Sequence, residues 1–154
     1  MVCFSKELRR KTESFRNRRK ISGKMIETLF NNLCAESGMS NFKSLHVYGE
    51  AFELSNMIYG RINLLKELSL RDQLFRSSTS ICANLAEYCA FRSSKQRRHI
   101  LSICVGEANE TEFWIDFCKE QKMIGEELHY EIIMRLESIR KKLCGLMRTI
   151  PVHE

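Results

Sequence analysis

Apolar residues recur at steps of three and four along most of this chain, the spacing of a helix that buries one stripe of its surface. The first such segment, 45–68, carries on its stripe Tyr48, Ala51, Phe52, Ser55, Ile58, Ile62 and Leu65. Ser69, with Asp72 three residues later, predicts the cap of a second helix. The inner face of that helix comprises Leu70, Leu74, Ser77, Ile81, Leu85 and Tyr88.

The pattern predicts two further helices. Ser93 has a capping-box partner three residues later and opens a third helix that extends to about Met123. Gly125 predicts its end, and Glu126 and Glu127 suit the positive N-terminus of a fourth helix. Its stripe comprises Leu128, Ile132, Leu136, Ile139, Leu143, Leu146 and Ile150. Four long helices with short connections predict an all-α fold, an antiparallel up-down-up-down four-helix bundle with a basic N-terminal extension.

The basic N-terminal extension, 1–38, differs in pattern from the predicted bundle, 39–154. Its first 24 residues hold nine Lys or Arg against two acids, whereas the other 130 residues hold 16 against 17. These 24 residues have few apolar positions, which predicts a flexible arm or a helix that forms on a partner. The 25–33 stretch predicts a short helix. An over-long gene prediction that should begin at Met39 is equally compatible with the sequence.

Composition supports this fold class and narrows the setting. One Pro and seven Gly leave few places to turn, which favours long helices over a strand-rich fold. Seven Cys without a CxxC pair argue against a disulfide framework and predict a cytoplasmic protein. No apolar run approaches the roughly 18 residues of a membrane helix, so we expect no membrane association.

The predicted turn at 92–98 is strongly basic. Arg92, Lys95, Arg97 and Arg98 crowd the start of the third helix. The helix macrodipole is already positive there, and each such cation costs about 0.3–1 kcal/mol. Cations and free backbone amides together suit a phosphate, which predicts a nucleic-acid site. The alternative is a solvated turn whose Arg side chains pack on neighbouring residues.

The arm supplies the other cations that we predict to contact nucleic acid. They are Arg9, Arg10, Lys11, Arg16, Arg18, Arg19 and Lys20. Their clustering matters because nonspecific affinity scales with the number of phosphates that a protein neutralises.

An aromatic cluster on the third helix is too wide for one buried face. Phe113, Trp114 and Phe117 accompany Ile115 and Cys118, and three consecutive apolar residues point in three directions. A four-helix monomer offers only one core, so Phe113, Trp114 and Phe117 are the predicted oligomer interface. The alternative is burial of this cluster by the N-terminal segment.

The sequence contains no motif that supports an enzymatic function. The Glu-x-x-His spacing of di-iron bundles occurs once, at Glu126 and His129, whereas such a site needs two copies. The cysteines of the predicted bundle lack the short paired spacing of zinc ligands. No Gly-rich phosphate loop or nucleophile elbow occurs. We therefore expect no catalytic residues, no cofactor and no metal.

Several stretches carry a recognisable family pattern: Phe-Lys-Ser-Leu-His-Val-Tyr-x-x-Ala at 42–51, Ser-Ile-Cys-Ala-Asn-Leu-Ala-Glu at 80–87 and Arg-Ser-Ser-Lys at 92–95, followed by Gly106, Glu110 and Glu112. Over about 39–150, the chain resembles the small four-helix-bundle proteins encoded in intervening sequences of bacterial 23S ribosomal RNA genes. The chain departs from that family in three places. Cys82 stands where relatives typically carry Pro, Tyr88 and Cys89 where they favour Gly, and Arg97 where they usually have an aromatic or apolar residue.

The resemblance implies a ring of five subunits around a central channel. It also implies kinship with the basic pentameric accessory proteins of diversity-generating retroelements, which bind a reverse transcriptase and nucleic acid. Our leading hypothesis is a non-enzymatic homo-oligomeric scaffold, a pentamer, that binds nucleic acid, specifically RNA, through its basic segments. The main alternative is a protein-interaction adaptor, for example an accessory subunit of a reverse transcriptase. A small-molecule or metal enzyme is a third class.

Overall fold

The computed structural model describes residues 41–62 and 65–151, together with Thr28. The chain divides into two compact units, Met1–Gly38 and Met39–Glu154, and the fold below is that of the second unit. The predicted arm lies outside the described residues, as does the predicted short helix at 25–33 apart from Thr28.

Four α-helices make up most of the described ranges: α1 His46–Ile62, α2 Leu68–Ala90, α3 Ser94–Glu120 and α4 Glu126–Arg148. A short 3-10 helix, Phe42–Ser44, precedes them. No strand occurs in these ranges, so the predicted all-α class and four-helix architecture are confirmed. None of the helices described combines the length and apolarity that a membrane span would need.

Neighbouring helices run antiparallel and enclose one core. Each helix packs against the next in sequence, and α1 also packs against α4. Ser55 of α1 donates a hydrogen bond to the Ser78 carbonyl of α2 at 2.8 Å. Tyr59, late in α1, contacts Phe75, early in α2. Lys142, late in α4, donates to Glu50, early in α1, and Arg98, early in α3, donates to Ile150 just beyond α4. Ser138, at the middle of α4, also donates to Glu50 at 3.1 Å. The N-termini of α1 and α3 therefore lie at the same end of the bundle as the C-termini of α2 and α4.

The hydrophobic core follows the predicted stripes on α2 and α4, and from the stripe predicted for 45–68 it includes Ala51, Ser55, Ile58 and Leu65 but not Phe52. All six predicted positions of α2 are buried, as are Ile132, Leu136, Ile139, Leu143 and Ile150. On α1 the prediction for Phe52 is wrong, since this side chain is 51% exposed. Val47 and Leu54 are buried instead. Two apolar stripes compete on this helix, and the core takes the one that includes the smaller residues.

The connection between α1 and α2 is longer than predicted. α1 ends at Ile62, and α2 has Glu67 rather than Ser69 as its N-cap residue. Leu65 is buried within this connection. The helical spacing of apolar residues therefore continues past the end of α1 and misplaces its boundary. Ser93 is the N-cap residue of α3 as predicted, although its side chain makes no capping hydrogen bond.

The end of α3 is a Schellman motif built on a lysine. Lys122 has φ 57°, its amide donates to the Lys119 carbonyl at 2.8 Å, and the Met123 amide donates to Cys118 at 2.8 Å. Gly125, which the sequence predicts as the stop of α3, is instead the N-cap residue of α4. The hydrogen bonds of the motif hold a side-chain-bearing residue in a conformation that glycine adopts without strain.

Lys122→Gly is expected to raise the free energy of unfolding by about 1 kcal/mol. A left-handed conformation costs a non-glycine residue roughly 1–2 kcal/mol, and the added freedom of glycine in the unfolded chain offsets part of the gain. Urea unfolding followed by circular dichroism measures the change. Lys66→Gly is the matched control, because Lys66 is an exposed lysine without positive φ. The control should lower stability, and a gain of the same size in both variants would contradict this account.

Candidate nucleic-acid interface

Charge is distributed unevenly along the bundle axis. Dividing each helix at its midpoint separates a basic half, 42–54, 79–107 and 138–151, from an acidic half, 55–62, 65–78 and 108–137. The basic half holds nine Lys or Arg against four acids, and the acidic half seven against ten. Their net charges are therefore +5 and −3. The predicted basic turn lies at the end of the basic half.

Two cations of this turn, Arg97 and Arg98, pack on neighbouring parts of the bundle. Arg97 Nε donates to the Phe91 carbonyl at 2.9 Å, and the Arg97 guanidinium lies 5.1 Å from the centroid of the Tyr88 ring. Arg98 donates to the Ile150 carbonyl just beyond α4. Burial raises the pKa of Tyr88, against the opposing effect of Arg97. Arg97 and Arg98 therefore pack on neighbouring residues, as the alternative to a nucleic-acid site predicts for the arginines of this turn.

The contact of Arg97 with Tyr88 has an energetic role. A flat guanidinium on an aromatic face makes a cation–π contact, which contributes about 0.5–1 kcal/mol at an exposed site. Arg98 satisfies a carbonyl at the end of a helix, a common partner for a basic side chain. Both residues therefore stabilise the join between α2, α3 and α4.

Exposed cations at this end of the bundle come from three separate segments. Lys95 and Arg92 are exposed in the turn, Lys43 is exposed beside α1, and Arg148 is exposed in the last turn of α4. Within the described part of the chain, no acid pairs with Lys43, Lys95 or Arg148. Sequence reasoning missed Lys43 and Arg148. The predicted up-down topology could have identified them, because it places the start of α1 and the end of α4 at the same end of the bundle as the turn.

Other bases of the basic half are neutralised by acids. Lys142 donates to Glu50, and this hydrogen bond holds the pKa of Glu50 below its ordinary value. Arg140 of α4 pairs with Glu112 of α3. These pairs tie α4 to both of its neighbours and use bases that would otherwise add to the phosphate-binding charge. The seven predicted arm cations lie outside the described residues.

The predicted aromatic cluster of α3 separates into a buried and an exposed part. Ile115 and Cys118 are buried, whereas Phe113 is 57% and Phe117 40% exposed. The Trp114 ring centroid lies 4.9 Å from that of Phe113 and 6.2 Å from that of Phe117. Phe113, Trp114 and Phe117 thus form a continuous aromatic patch on the surface of the bundle.

The α3 aromatic patch lies beside two carboxylates of α3, Glu107 and Glu110, which both interact with Arg76 of α2. Trp114 Nε1 donates to Glu110 Oε1 at 3.3 Å, and Arg76 of α2 also pairs with Glu110. Arg76 lies 3.8 Å from Glu107. Burial, and then the Glu110 charge, raise the pKa of Glu107, while Arg76 opposes them. One arginine thus serves two carboxylates beside the exposed rings.

A second set of aromatic rings lies along the outer side of α1 and α2, and sequence reasoning missed it. This aromatic strip consists of Phe42, Tyr48, Phe52, Tyr59 and Phe75. The ring centroids are 4.9 Å apart for Phe42 and Tyr48, 6.1 Å for Tyr48 and Phe52, and 5.7 Å for Tyr59 and Phe75. The sequence pattern does not reveal this strip, because Tyr48 and Phe52 also fit the helical stripe that predicts the buried face of α1.

Both residues of the single Glu-x-x-His motif contact side chains of α3. Glu126 pairs with Lys119 at 2.9 Å, and His129 Nε2 lies 2.7 Å from Asp116 Oδ1. Within the described ranges, no three His, Cys, Asp or Glu side chains are grouped so that they could hold a metal ion. These four residues connect the end of α3 to the start of α4.

An apolar pocket of about 180 Å³ opens in the acidic half between α1, α3 and α4. Ile58, Ile115 and Ile132 line it, with Arg61 and Cys118. Burial raises the pKa of Cys118, which disfavours the thiolate and makes this cysteine a poor nucleophile. The pocket is an extension of the core.

The fold and the basic half define a class of protein, a small antiparallel four-helix bundle with its net positive charge at one end. A family model described as 23S rRNA-intervening sequence protein matches residues 43–145. The chain belongs to this family, and the predicted resemblance is confirmed.

One solved structure extends the comparison. It is a crystal structure of a protein with unknown function from the S23 ribosomal protein family from Bacteroides thetaiotaomicron VPI-5482. The two chains share 31% sequence identity with a TM-score of 0.63, over 67% of this chain and 99% of the other. Among curated proteins, none matches the chain.

Proposed function

We propose that this protein is a non-enzymatic homo-oligomeric scaffold that binds nucleic acid, with RNA as its ligand. The observation that carries the proposal is the net charge of +5 on one half of the bundle, with −3 on the other. Phosphate contacts by Lys and Arg release counterions and supply most nonspecific affinity. The family description refers to 23S rRNA, and for this reason RNA is the nucleic acid that we propose and test.

The proposed contacts involve Arg92, Lys95, Lys43 and Arg148, together with the arm. The N-termini of α1 and α3 lie at the same end, and their free amides add partial positive charge for a phosphate. Arg97 and Arg98 contribute to the local potential while holding the turn in place. No cofactor takes part.

A triple variant tests this assignment. Replacing Lys43, Lys95 and Arg148 by Ser should weaken RNA binding and reduce the slope of log affinity against log salt by about 2–3 units, because three fewer phosphates are neutralised. Fluorescence anisotropy of a labelled RNA at several salt concentrations measures both quantities. Circular dichroism should show unchanged helix content, since all three side chains are exposed.

The matched control removes the same charge from the other half of the bundle. Arg61, Lys66 and Lys122 are exposed cations of the acidic half, and their joint replacement by Ser should change the slope far less. Equal losses in the two variants would reject the basic half as the binding surface. An unchanged slope in the first variant would reject phosphate binding there altogether.

Self-association is the second element of the proposal. We assign Phe113, Trp114 and Phe117 to the interface of a homo-oligomer, a pentamer as the family resemblance implies. Their exposure supports this, because large contiguous apolar patches are uncommon on monomeric proteins. The proposal also places the protein in the cytoplasm, in keeping with its seven cysteines and the free thiols among those described.

A protein-interaction adaptor is the second candidate, for example an accessory subunit of a reverse transcriptase. Glu107 and Glu110 beside the α3 aromatic patch favour it, because rings bordered by carboxylates suit a basic, apolar protein segment. Affinity purification separates the candidates. Recovery of one protein partner after nuclease treatment, without RNA binding by the purified chain, would favour the adaptor.

A further inference from the structure

The aromatic strip begins at the end of the bundle where the exposed cations Lys43, Lys95 and Arg148 lie. Lys43 Nζ lies 6.0 Å from the centroid of the Phe42 ring, the first ring of the strip. Tyr48 and Phe52 follow along α1, with their ring planes only 15° apart. Tyr59 and Phe75 lie farther along, and Phe52, Tyr59 and Phe75 are 51%, 54% and 47% exposed. The rings therefore lead away from the phosphate-binding end along one side of the molecule.

The acids of α1 face away from this strip. Glu50 contacts Lys142 and Ser138 of α4, and Glu53 pairs with Arg135 of α4 at 3.6 Å. The rings lie on the opposite side of α1, as the contact between Tyr59 and Phe75 of α2 shows. The two acids of α1 therefore have partners on α4, whereas the rings of the strip contact one another and α2, with Lys43 beside the first ring.

Flat apolar rings next to cations match the chemistry of an unpaired nucleotide. Phosphates bind Lys and Arg, and each base has a face that stacks on an aromatic ring whatever its sequence. A duplex keeps its bases stacked on one another, so it offers only its backbone to such a surface. Rings spaced along a helix at seven-residue intervals, about 10 Å, can take successive groups of bases.

We infer that the aromatic strip stacks unpaired bases, so that the nucleic acid bound by this protein is single-stranded or contains an unpaired stretch. The inference rests on the proposed nucleic-acid function and adds the class of ligand. Phosphates bind the cations of the basic half, and the bases that follow lie along α1 against Phe52, Tyr59 and Phe75.

Leucine substitutions separate ring stacking from general apolar contact. Phe52→Leu and Tyr59→Leu keep an apolar side chain at exposed positions and should leave the fold intact. We expect each to weaken binding of a single-stranded 20-nucleotide RNA by about fivefold or more, the lower end of the range for one stacked base. Binding of a duplex of the same sequence should not change. Tyr130→Leu is the control, because Tyr130 is a 67% exposed ring on α4 away from the strip.

An abasic strand gives the decisive comparison. It has the same length and phosphates as the RNA but no bases, so the wild-type protein should bind it more weakly, and Phe52→Leu should make no difference to it. If the abasic strand binds as tightly as the RNA, or if Phe52→Leu and Tyr59→Leu bind the RNA like the wild type, the inference is overturned. The proposed function is tested separately, by the slope of log affinity against log salt for the variant that lacks Lys43, Lys95 and Arg148. Mass photometry is a further check, since a change in oligomer mass on Phe52→Leu would make the strip a subunit interface instead.

Discussion

Removal of residues 1–38 is expected to lower RNA affinity at low salt by about a thousandfold, while residues 39–154 keep their helix content. The deleted segment holds nine Lys or Arg against four acids, and the remaining 116 residues have a net charge of +1. A protein that makes six to ten phosphate contacts loses roughly 10³–10⁵ in affinity between 50 and 200 mM salt, because fewer counterions are released at higher salt, and we expect removal of up to nine bases to lower affinity at low salt by a similar order. Anisotropy titrations at 50 and 200 mM salt, beside circular dichroism, measure the two properties.

The control for this truncation keeps the chain length and removes the charge. Arg9, Arg10, Lys11, Arg16, Arg18, Arg19 and Lys20 are all replaced by Ser in the full chain. Affinity should fall nearly as far as in the truncated chain. If only the truncation weakens binding, the segment acts through something other than charge. A loss of helix content on truncation would show that 1–38 is needed for folding.

Trp114→Glu is expected to convert an oligomer into monomers. Five copies of the 18.1 kDa chain give a mass of about 90 kDa, and a buried carboxylate at the centre of the α3 aromatic patch would cost several kcal/mol at each interface. Light scattering at micromolar concentration should report the large species for the wild type and about 18.1 kDa for the variant. Helical circular dichroism should be largely retained, because Trp114 is only partly buried and packs at the margin of the core.

The control for this substitution is Tyr130→Glu, at a 67% exposed position of α4. It should leave the oligomer mass unchanged. A monomeric wild type would refute the assembly proposal at once. Dissociation by both variants would show that added negative charge, and not the aromatic patch, determines association.

The sequence pattern predicts the interior of this bundle better than its surface. On α2 and α4 one apolar stripe stands against a polar background, and its residues are buried as the spacing requires. On α1, Val47 and Leu54 compete with Tyr48 and Phe52, and periodicity does not distinguish two adjacent stripes of similar apolarity. Packing against α2 and α4 decides between them. The aromatic strip is the consequence, and it could not be located before the orientation of α1 was known.

The candidate interface divides in the same way. Local sequence identifies the turn at 92–98, because seven consecutive residues hold four cations. Which cations are available depends on partners that are distant in sequence, such as Ile150 for Arg98. Lys43 and Arg148 join the surface only through the topology. Arginine content thus predicts where a phosphate could bind, while tertiary contacts determine which side chains bind it.

The unequal charge of the two halves gives the bundle a permanent electric dipole moment along its axis. Antiparallel helices cancel one another's backbone dipoles, so the moment comes from the side chains, with +5 and −3 centred on opposite halves of helices about 35 Å long. Near a polyanion, within the Debye length of about 8–10 Å, the field exerts a torque that turns the basic half inward before any contact forms. Encounters become productive over a wider range of initial orientations. The association rate constant should therefore depend on salt more steeply than the dissociation rate constant.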